Sequence, residues 1–299
     1  MAQTPKTPFT ASEMMKLKRL SEPSVAPDGS AVIYTVGEVD VEKNSQARQL
    51  WISPLAGGAA RQVTTEGRNT SAQFSPDSKK IAFISTRSGS AQIWVMDALG
   101  GNARQLTRLA TEAGGVIWSG DGSTLVFTSD VYPECNADDA CNQKRLDDEA
   151  KSKVKARTYT SLLYRHWTEW RGKRVKHLMA VPADGGAVRD LTKGLKYDVP
   201  PFSLGGGGDY AVSPDGKEVC YAANLDADQA LSTNWELYTV PIEGLPEGQE
   251  PVKISNSPGA DASPKYSPDG KWLAWRMQVR PGYESDRWRL VVLERETGI

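Results

Sequence analysis

The feature that most constrains this chain is a turn motif that returns five times. It reads Ala26-Pro27-Asp28-Gly29, Ser75-Pro76-Asp77-Ser78, Ser119-Gly120-Asp121-Gly122, Ser213-Pro214-Asp215-Gly216 and Ser267-Pro268-Asp269-Gly270. The aspartates at 28, 77, 121, 215 and 269 stand 49, 44, 94 and 54 residues apart. That is a period of roughly 45 to 50 residues, with one extra segment inside the third unit. The chemistry is that of a reverse turn: Pro presets φ, Asp bonds back to the backbone, and Gly accepts positive φ.

Each turn is followed by an apolar, β-favouring run: Ala31–Val36, Ile81–Ser85, Leu125–Thr128, Val219–Ala222 and Trp272–Trp275. A second run follows at Gln49–Ile52, Gln92–Asp97, His177–Val181, Glu236–Val240 and Arg289–Leu293. Gly57-Gly58, Gly100-Gly101 and Gly185-Gly186 then lead into short strands ending at Val63-Thr64, Leu106-Thr107 and Leu191-Thr192, with Val252–Ser255 in the fourth unit. Together with the segment before each turn, this makes four antiparallel strands per unit. The expectation is an all-β fold, a β-propeller of four-stranded blades. A β-sandwich is the competing architecture, but it does not predict a turn motif recurring at this period.

The expected blades are about 23–70, 71–113, 114–206, 207–260 and 261–299, with an insert at about 131–176 in the third. Residues 1–22 form a lead-in, with a short helix expected over Thr10–Leu20, capped by Thr10 or Ser12. The fifth unit runs out at Glu296-Thr297-Gly298-Ile299, where its turn into a fourth strand is expected. Four complete blades and most of a fifth suggest part of a longer protein. The other reading is a five-bladed ring with the N-terminal segment supplying the missing strand, which a helical lead-in disfavours.

Composition excludes several classes of function. A formal net charge of -1 argues against a global nucleic-acid binder. With two histidines and three cysteines, a Cys/His zinc module is out of reach, and no cofactor is called for. No run of about 18 apolar residues exists to form a membrane-spanning helix. The start Met1-Ala2-Gln3-Thr4-Pro5 reads as a mature N-terminus after removal of an export signal, or as an ordinary cytoplasmic start. The sequence sets no oligomeric state.

The insert concentrates charge. Residues 144–176 carry eleven Lys/Arg against four acids, a net +7 that leaves -8 for the rest. Gln143–Arg157 reads as a charged helix, and Tyr159–Trp170 as a hairpin arm returning through Val175–Val181. Its functional reading is a substrate- or domain-facing element, with Arg165 or Arg171 meeting a peptide carboxylate and Trp167 and Trp170 packing on peptide side chains. His166 is a further candidate. The alternatives are a solvated helix with its aromatics packed on the blade and, less well supported, a nucleic-acid platform. Cys135 and Cys141, with five residues between them, either form a disulfide, worth about 2.4 kcal/mol in the chain-entropy model, or stay as reduced surface thiols. Cys220 reads as a small core residue and His177 as structural.

The Ser-Pro-Asp-Gly turns, the Trp94-Val95-Met96-Asp97 strand and the Gly-Gly-x-x-x-x-Leu-Thr endings resemble WD40-like propeller repeats. These occur in the N-terminal propeller of prolyl-oligopeptidase-family serine peptidases and in the periplasmic propeller of the Tol envelope system. The resemblance covers the whole chain, and both families share the blade motif. Three stretches are similar to the bacterial dipeptidyl-peptidase and acylaminoacyl-peptidase branch: Phe9–Met15 with Leu20-Ser21-Glu22-Pro23; the insert with Val131–Cys135, Leu163–Trp167 and Asp198–Gly206; and Arg280–Trp288. The resemblance implies an exported serine exopeptidase of short peptides. Its propeller would cover the active site of a C-terminal α/β-hydrolase domain and exclude large substrates. A Tol-type protein-interaction scaffold is the alternative.

One departure matters. The hydrolase nucleophile sits in a Gly-x-Ser-x-Gly elbow, which occurs nowhere here, and no histidine follows His177. No catalytic residue can be assigned, and residues 1–299 are expected to be inactive alone. Gly205–Gly208 lacks the Lys-Ser/Thr of a phosphate loop and reads as a tight bend. Asn224, Asp226 and Asp228 alternate as in a calcium loop, but Gln229 and Trp235 stand where Gly and Glu are needed.

Overall fold

A computed structural model of the chain describes residues 8–160, 162–202 and 209–298. The N-terminal start, the glycine-run bend at Gly205–Gly208 and Ser161 in the arm lie outside the described residues. The fold is a β-propeller of antiparallel blades, in which strands pair in sequence order. The chain divides into two compact units, the first running to Arg104 and the second starting at Gln105.

The first unit holds two blades. Blade one is Arg19–Val25, Ala31–Asp40, Ser45–Pro54 and Arg61–Gln62. Blade two is Asn69–Phe74, Lys80–Ser85, Gln92–Asp97 and Arg104–Gln105, so the division falls within its last strand. Ile33, Leu50 and Ile52 of blade one pack with Phe74, Ile81, Phe83 and Met96 of blade two. Each such side chain contributes about 1.5–3 kcal/mol by leaving water. Strand Lys80–Ser85 is buried at five consecutive positions, because both of its faces are covered.

In the second unit, blade three is Gly114–Trp118, Thr124–Val131, Val175–Pro182 and Arg189–Asp190. Blade four is Tyr210–Val212, Glu218–Ala223, Glu236–Pro241 and Val252–Lys253. Blade five shows Asp261–Tyr266, Trp272–Met277 and Arg289–Glu294. The middle strand of blade four serves two interfaces by simple alternation. Val219 and Tyr221 pack with Val126 and Leu178 of blade three, whereas Cys220 and Ala222 pack with Leu273 and Trp275 of blade five. Cys220 is therefore a core residue.

The turn motif works through side-chain hydrogen bonds. Ser75 Oγ donates to Asp77 Oδ1 at 2.6 Å and accepts from the Lys80 amide at 2.9 Å, while the Lys79 amide donates to Asp77. The same Ser–Asp bond recurs at Ser119–Asp121, Ser213–Asp215 and Ser267–Asp269. The residue after each Asp has φ between 60° and 72°, supplied by Gly in four blades and by Ser78 in blade two. In blade three Gly120 replaces the proline. A Cβ there would lie 2.4 Å from the Pro214 carbonyl oxygen of the blade-four turn.

The fourth strands pair two residues earlier than the sequence suggests, and the Thr or Ser that follows has a different task. Val63, Leu191 and Ile254 donate their amides to Leu50, Leu178 and Leu237. Thr64, Thr192 and Ser255 then accept the amides of those same three leucines through their hydroxyls, at 2.8, 3.1 and 2.9 Å. A side-chain oxygen thus takes the place of the next backbone carbonyl.

Neighbouring blades also share polar bonds. Glu22, in a bulge of blade one at φ 53°, accepts the Ser71 amide of blade two at 2.9 Å. Asp209 does the same for Ser263 of blade five, at 3.1 Å. The N-terminal helix covers Ala11–Lys16, with Thr10 Oγ1 accepting the Glu13 amide. It is shorter than the expected Thr10–Leu20 because Arg19 and Leu20 are extended and pair with Gly37 and Val36. The first strand therefore begins inside the lead-in assigned to residues 1–22.

Candidate functional site

The insert leaves blade three after Val131 and returns at Val175, and those two residues remain paired across the ladder. Cys135 and Cys141 are joined by a disulfide at its start. A helix then spans Asp139–Lys151, capped by Asp138, whose Oδ1 accepts the Cys141 amide at 3.0 Å. Its residue Asn142 is buried, accepting the Tyr132 amide and donating to the Asn136 and Asp138 carbonyls. The helix begins four residues before the expected Gln143, because the Asp138 cap and the disulfide fix its first turn. It also stops at Lys151 rather than Arg157, since Ser152 turns extended. Residues 152–160 then run on without regular structure.

The arm closes as a small hairpin, Arg165–His166 against Glu169–Trp170. Trp167 sits at its turn with φ 50° and is 82% exposed. His166 stacks on Trp167 and meets the edge of Phe202. Arg171 stacks over Phe202 at 4.9 Å and forms an ion pair with Asp198. Asp198 is buried and also accepts the Lys176 amide at 2.9 Å. Burial pushes its carboxyl upward, and the Arg171 charge opposes that shift. The arm's base is further tied by Arg171 N to the Tyr164 carbonyl, 2.8 Å, and Tyr159 OH to the Arg171 carbonyl, 3.0 Å.

The five candidates therefore divide. Arg171 is occupied by Asp198 and holds the arm down. His166 packs against Phe202. Trp167, Arg165 and Trp170 face outward, and Trp170 enters an aromatic cluster. Its ring lies 6.2 Å from Tyr159 and 6.1 Å from Tyr164, while Tyr159 and Tyr164 are 5.5 Å apart. Arg157 and Arg165 both lie within 6 Å of the Trp170 centroid. This wall borders an open depression of about 770 Å³, to which Lys155, Thr160 and Leu162 also contribute. Asp198 and Phe202 as anchors, and Arg157 and Lys155 as part of the wall, are not evident from residue spacing; the aromatic content of the arm was the available signal.

His177 is buried, with Nδ1 2.8 Å from Asp190 Oδ2 and Nε2 3.0 Å from the Leu195 carbonyl oxygen. Its surroundings are those of a structural residue. Among the described residues, no three His, Cys, Asp or Glu side chains converge as a metal site would require. Among them too, no helix is long and apolar enough to cross a membrane.

Comparison with known proteins gives this geometry its relatives. A family model described as the TolB beta propeller domain matches residues 19–134. Dipeptidyl-peptidase 5 of Porphyromonas gingivalis is 36% identical over 296 residues, covering 97% of this chain and 42% of the relative. The chain thus spans about two fifths of the length of that curated relative. An acylaminoacyl peptidase solved in complex with Z-Gly-Gly-Phe-chloromethyl ketone superposes with a TM-score of 0.66 at 14% identity, covering 94% of this chain and 39% of that one. TolB from Acinetobacter baumannii superposes with a TM-score of 0.53 at 17% identity, covering 94% and 53%. The two solved structures share the fold.

Proposed function

The chain is homologous to dipeptidyl-peptidase 5, and on that premise we propose that it is the substrate-gating and sizing propeller of an exported serine exopeptidase of short peptides. The observation that carries this reading is the alignment of 97% of the chain, insert region included, with a peptidase more than twice its length. In this reading the propeller admits short peptides and excludes folded proteins, and a C-terminal α/β-hydrolase domain supplies the catalytic groups. The Cys135–Cys141 disulfide supports residence in an oxidising compartment, the periplasm or the exterior. The arm supports a peptide-facing role, since binding groups favour loops on a rigid scaffold. Trp167, Trp170 and Arg165 are then the substrate-facing side chains, and His166 and Arg171 set the arm's position.

A Tol-type periplasmic scaffold is the second reading, favoured by the family match over residues 19–134. The test is expression of the complete reading frame containing these residues, followed by fluorophosphonate labelling and assay on short peptides and a folded protein. Labelling with cleavage of short peptides alone is the expected result, with residues 1–299 inactive by themselves. Absence of both labelling and cleavage would overturn the peptidase reading in favour of the scaffold.

A further inference from the structure

We infer that the depression beside Trp170 is an anion-selective subsite that takes an acidic peptide, one carrying two or more Asp or Glu side chains. Its wall is made of Lys155, Arg157, Tyr159, Leu162, Tyr164 and Trp170. No carboxylate belongs to that wall. Arg157 and Arg165 both sit against the Trp170 ring, at 5.8 and 5.9 Å from its centroid. Two guanidinium groups held on one indole repel one another, and no Asp or Glu of the described residues is paired with either. Four other cations of the insert are ion-paired: Lys144 with Asp148, Arg145 with Glu134, Lys173 with Glu149 and Arg171 with Asp198. The depression thus gathers Lys155 and Arg157 in its wall, with Arg165 on the same indole and no carboxylate among its lining residues.

The aromatic wall orients those charges. Cation–π contact holds each guanidinium beside the ring and leaves its N–H groups to reach an acceptor. A carboxylate suits that fork, which binds it through two parallel hydrogen bonds. The peptide backbone and its apolar side chains would lie along Leu162 and the half-exposed Trp170. Single-stranded nucleic acid fits less well. Stacking platforms need room for a base against each ring. Here Tyr159, Tyr164 and Trp170 already pack on one another, with centroids 5.5 to 6.2 Å apart.

The inference rests on the proposed peptide-handling role of the insert, and it narrows the substrate class. It is tested by binding alone, so that its failure is separate from failure of the peptidase reading. The full chain is titrated with a doubly blocked peptide, Ala-Glu-Glu-Ala-Glu-Ala, carrying an uncharged fluorophore, and with its Gln isostere. Anisotropy should show the Glu peptide binding at least about tenfold more tightly at about 50 mM salt, and the gap should shrink at about 500 mM. Arg157→Gln with Arg165→Gln should remove that preference. Lys193→Gln with Lys196→Gln, which changes net charge equally at exposed positions outside the depression, should not. Equal binding of the Glu and Gln peptides, or equal loss in both double variants, overturns the inference, as does a dT oligonucleotide that outcompetes the Glu peptide. Charge-blind binding beside a fluorophosphonate-reactive full-length product would leave the peptidase reading intact. Glu-selective binding without such a product would remove only the peptidase reading.

Discussion

Arg171 is ion-paired with Asp198 at the base of the insert, the arginine side chain 24% exposed and the aspartate side chain 6%. Asp198→Asn keeps the shape and the bond from the Lys176 amide but leaves Arg171 without its counter-charge. We expect a stability loss of about 1–3 kcal/mol, below the range for fully buried pairs because Arg171 is partly solvated. Hydrogen exchange should accelerate over residues 158–171 and stay slow in the Thr124–Val131 and Val175–Pro182 strands. Unchanged exchange in the arm would show that the pair does not anchor it.

Gly120 occupies the position where the other four turns carry proline. Gly120→Pro restores the repeat motif and should nonetheless destabilise the chain by about 1–3 kcal/mol, through overpacking against Pro214. Urea unfolding measures the difference. A variant as stable as the parent would mean that the two turns part at little cost.

Thr64→Val is nearly isosteric and removes the acceptor of the buried Leu50 amide. The expected cost is about 1–3 kcal/mol, the penalty for an unsatisfied buried donor. Thr64→Ser should retain most of the stability. If Val and Ser behave alike in chemical denaturation, the hydroxyl is dispensable.

The turn aspartates should contribute to the acid limb of stability. The Ser75 hydroxyl, and then the Lys79 amide, hold the Asp77 carboxyl below its usual 3.8, and Ser119, Ser213 and Ser267 act likewise on Asp121, Asp215 and Asp269. The unfolded chain therefore binds these protons at higher pH than the folded one. Their stabilisation is fully present above about pH 4 and disappears as pH falls through the lowered folded values. Asp77→Asn should make stability less steeply dependent on pH in that window, read from urea midpoints at successive pH values. An unchanged slope would remove Asp77 from the acid response.

Much of this architecture is legible in residue order. Strand Gln92–Asp97 coincides with its apolar run end to end, because both of its faces are covered and its neighbours are turns. The fourth strands are displaced for a reason that composition hides. Val63-Thr64 looks like strand, yet Thr64 closes the ladder with its side chain, a contact across the sheet. The site is legible only as a list of aromatic and basic residues. That Arg171 is committed to Asp198, while Arg157 and Arg165 share Trp170, follows from where the helix stops and how the arm folds back. Neither is encoded in local periodicity.

The hydroxyl that ends a blade's ladder and the Ser–Asp pair that opens it both travel with the repeat itself. In blade three these clamps, Ser119–Asp121 and Thr192–Leu178, keep strands Thr124–Val131 and Val175–Pro182 in register although a long excursion separates them. Since the entropy of closing a loop grows only with the logarithm of its length, such a connection is free to lengthen. A blade that sets its own register can therefore host evolutionary novelty at one connection, gaining a new binding arm while its neighbours inherit the old fold unchanged.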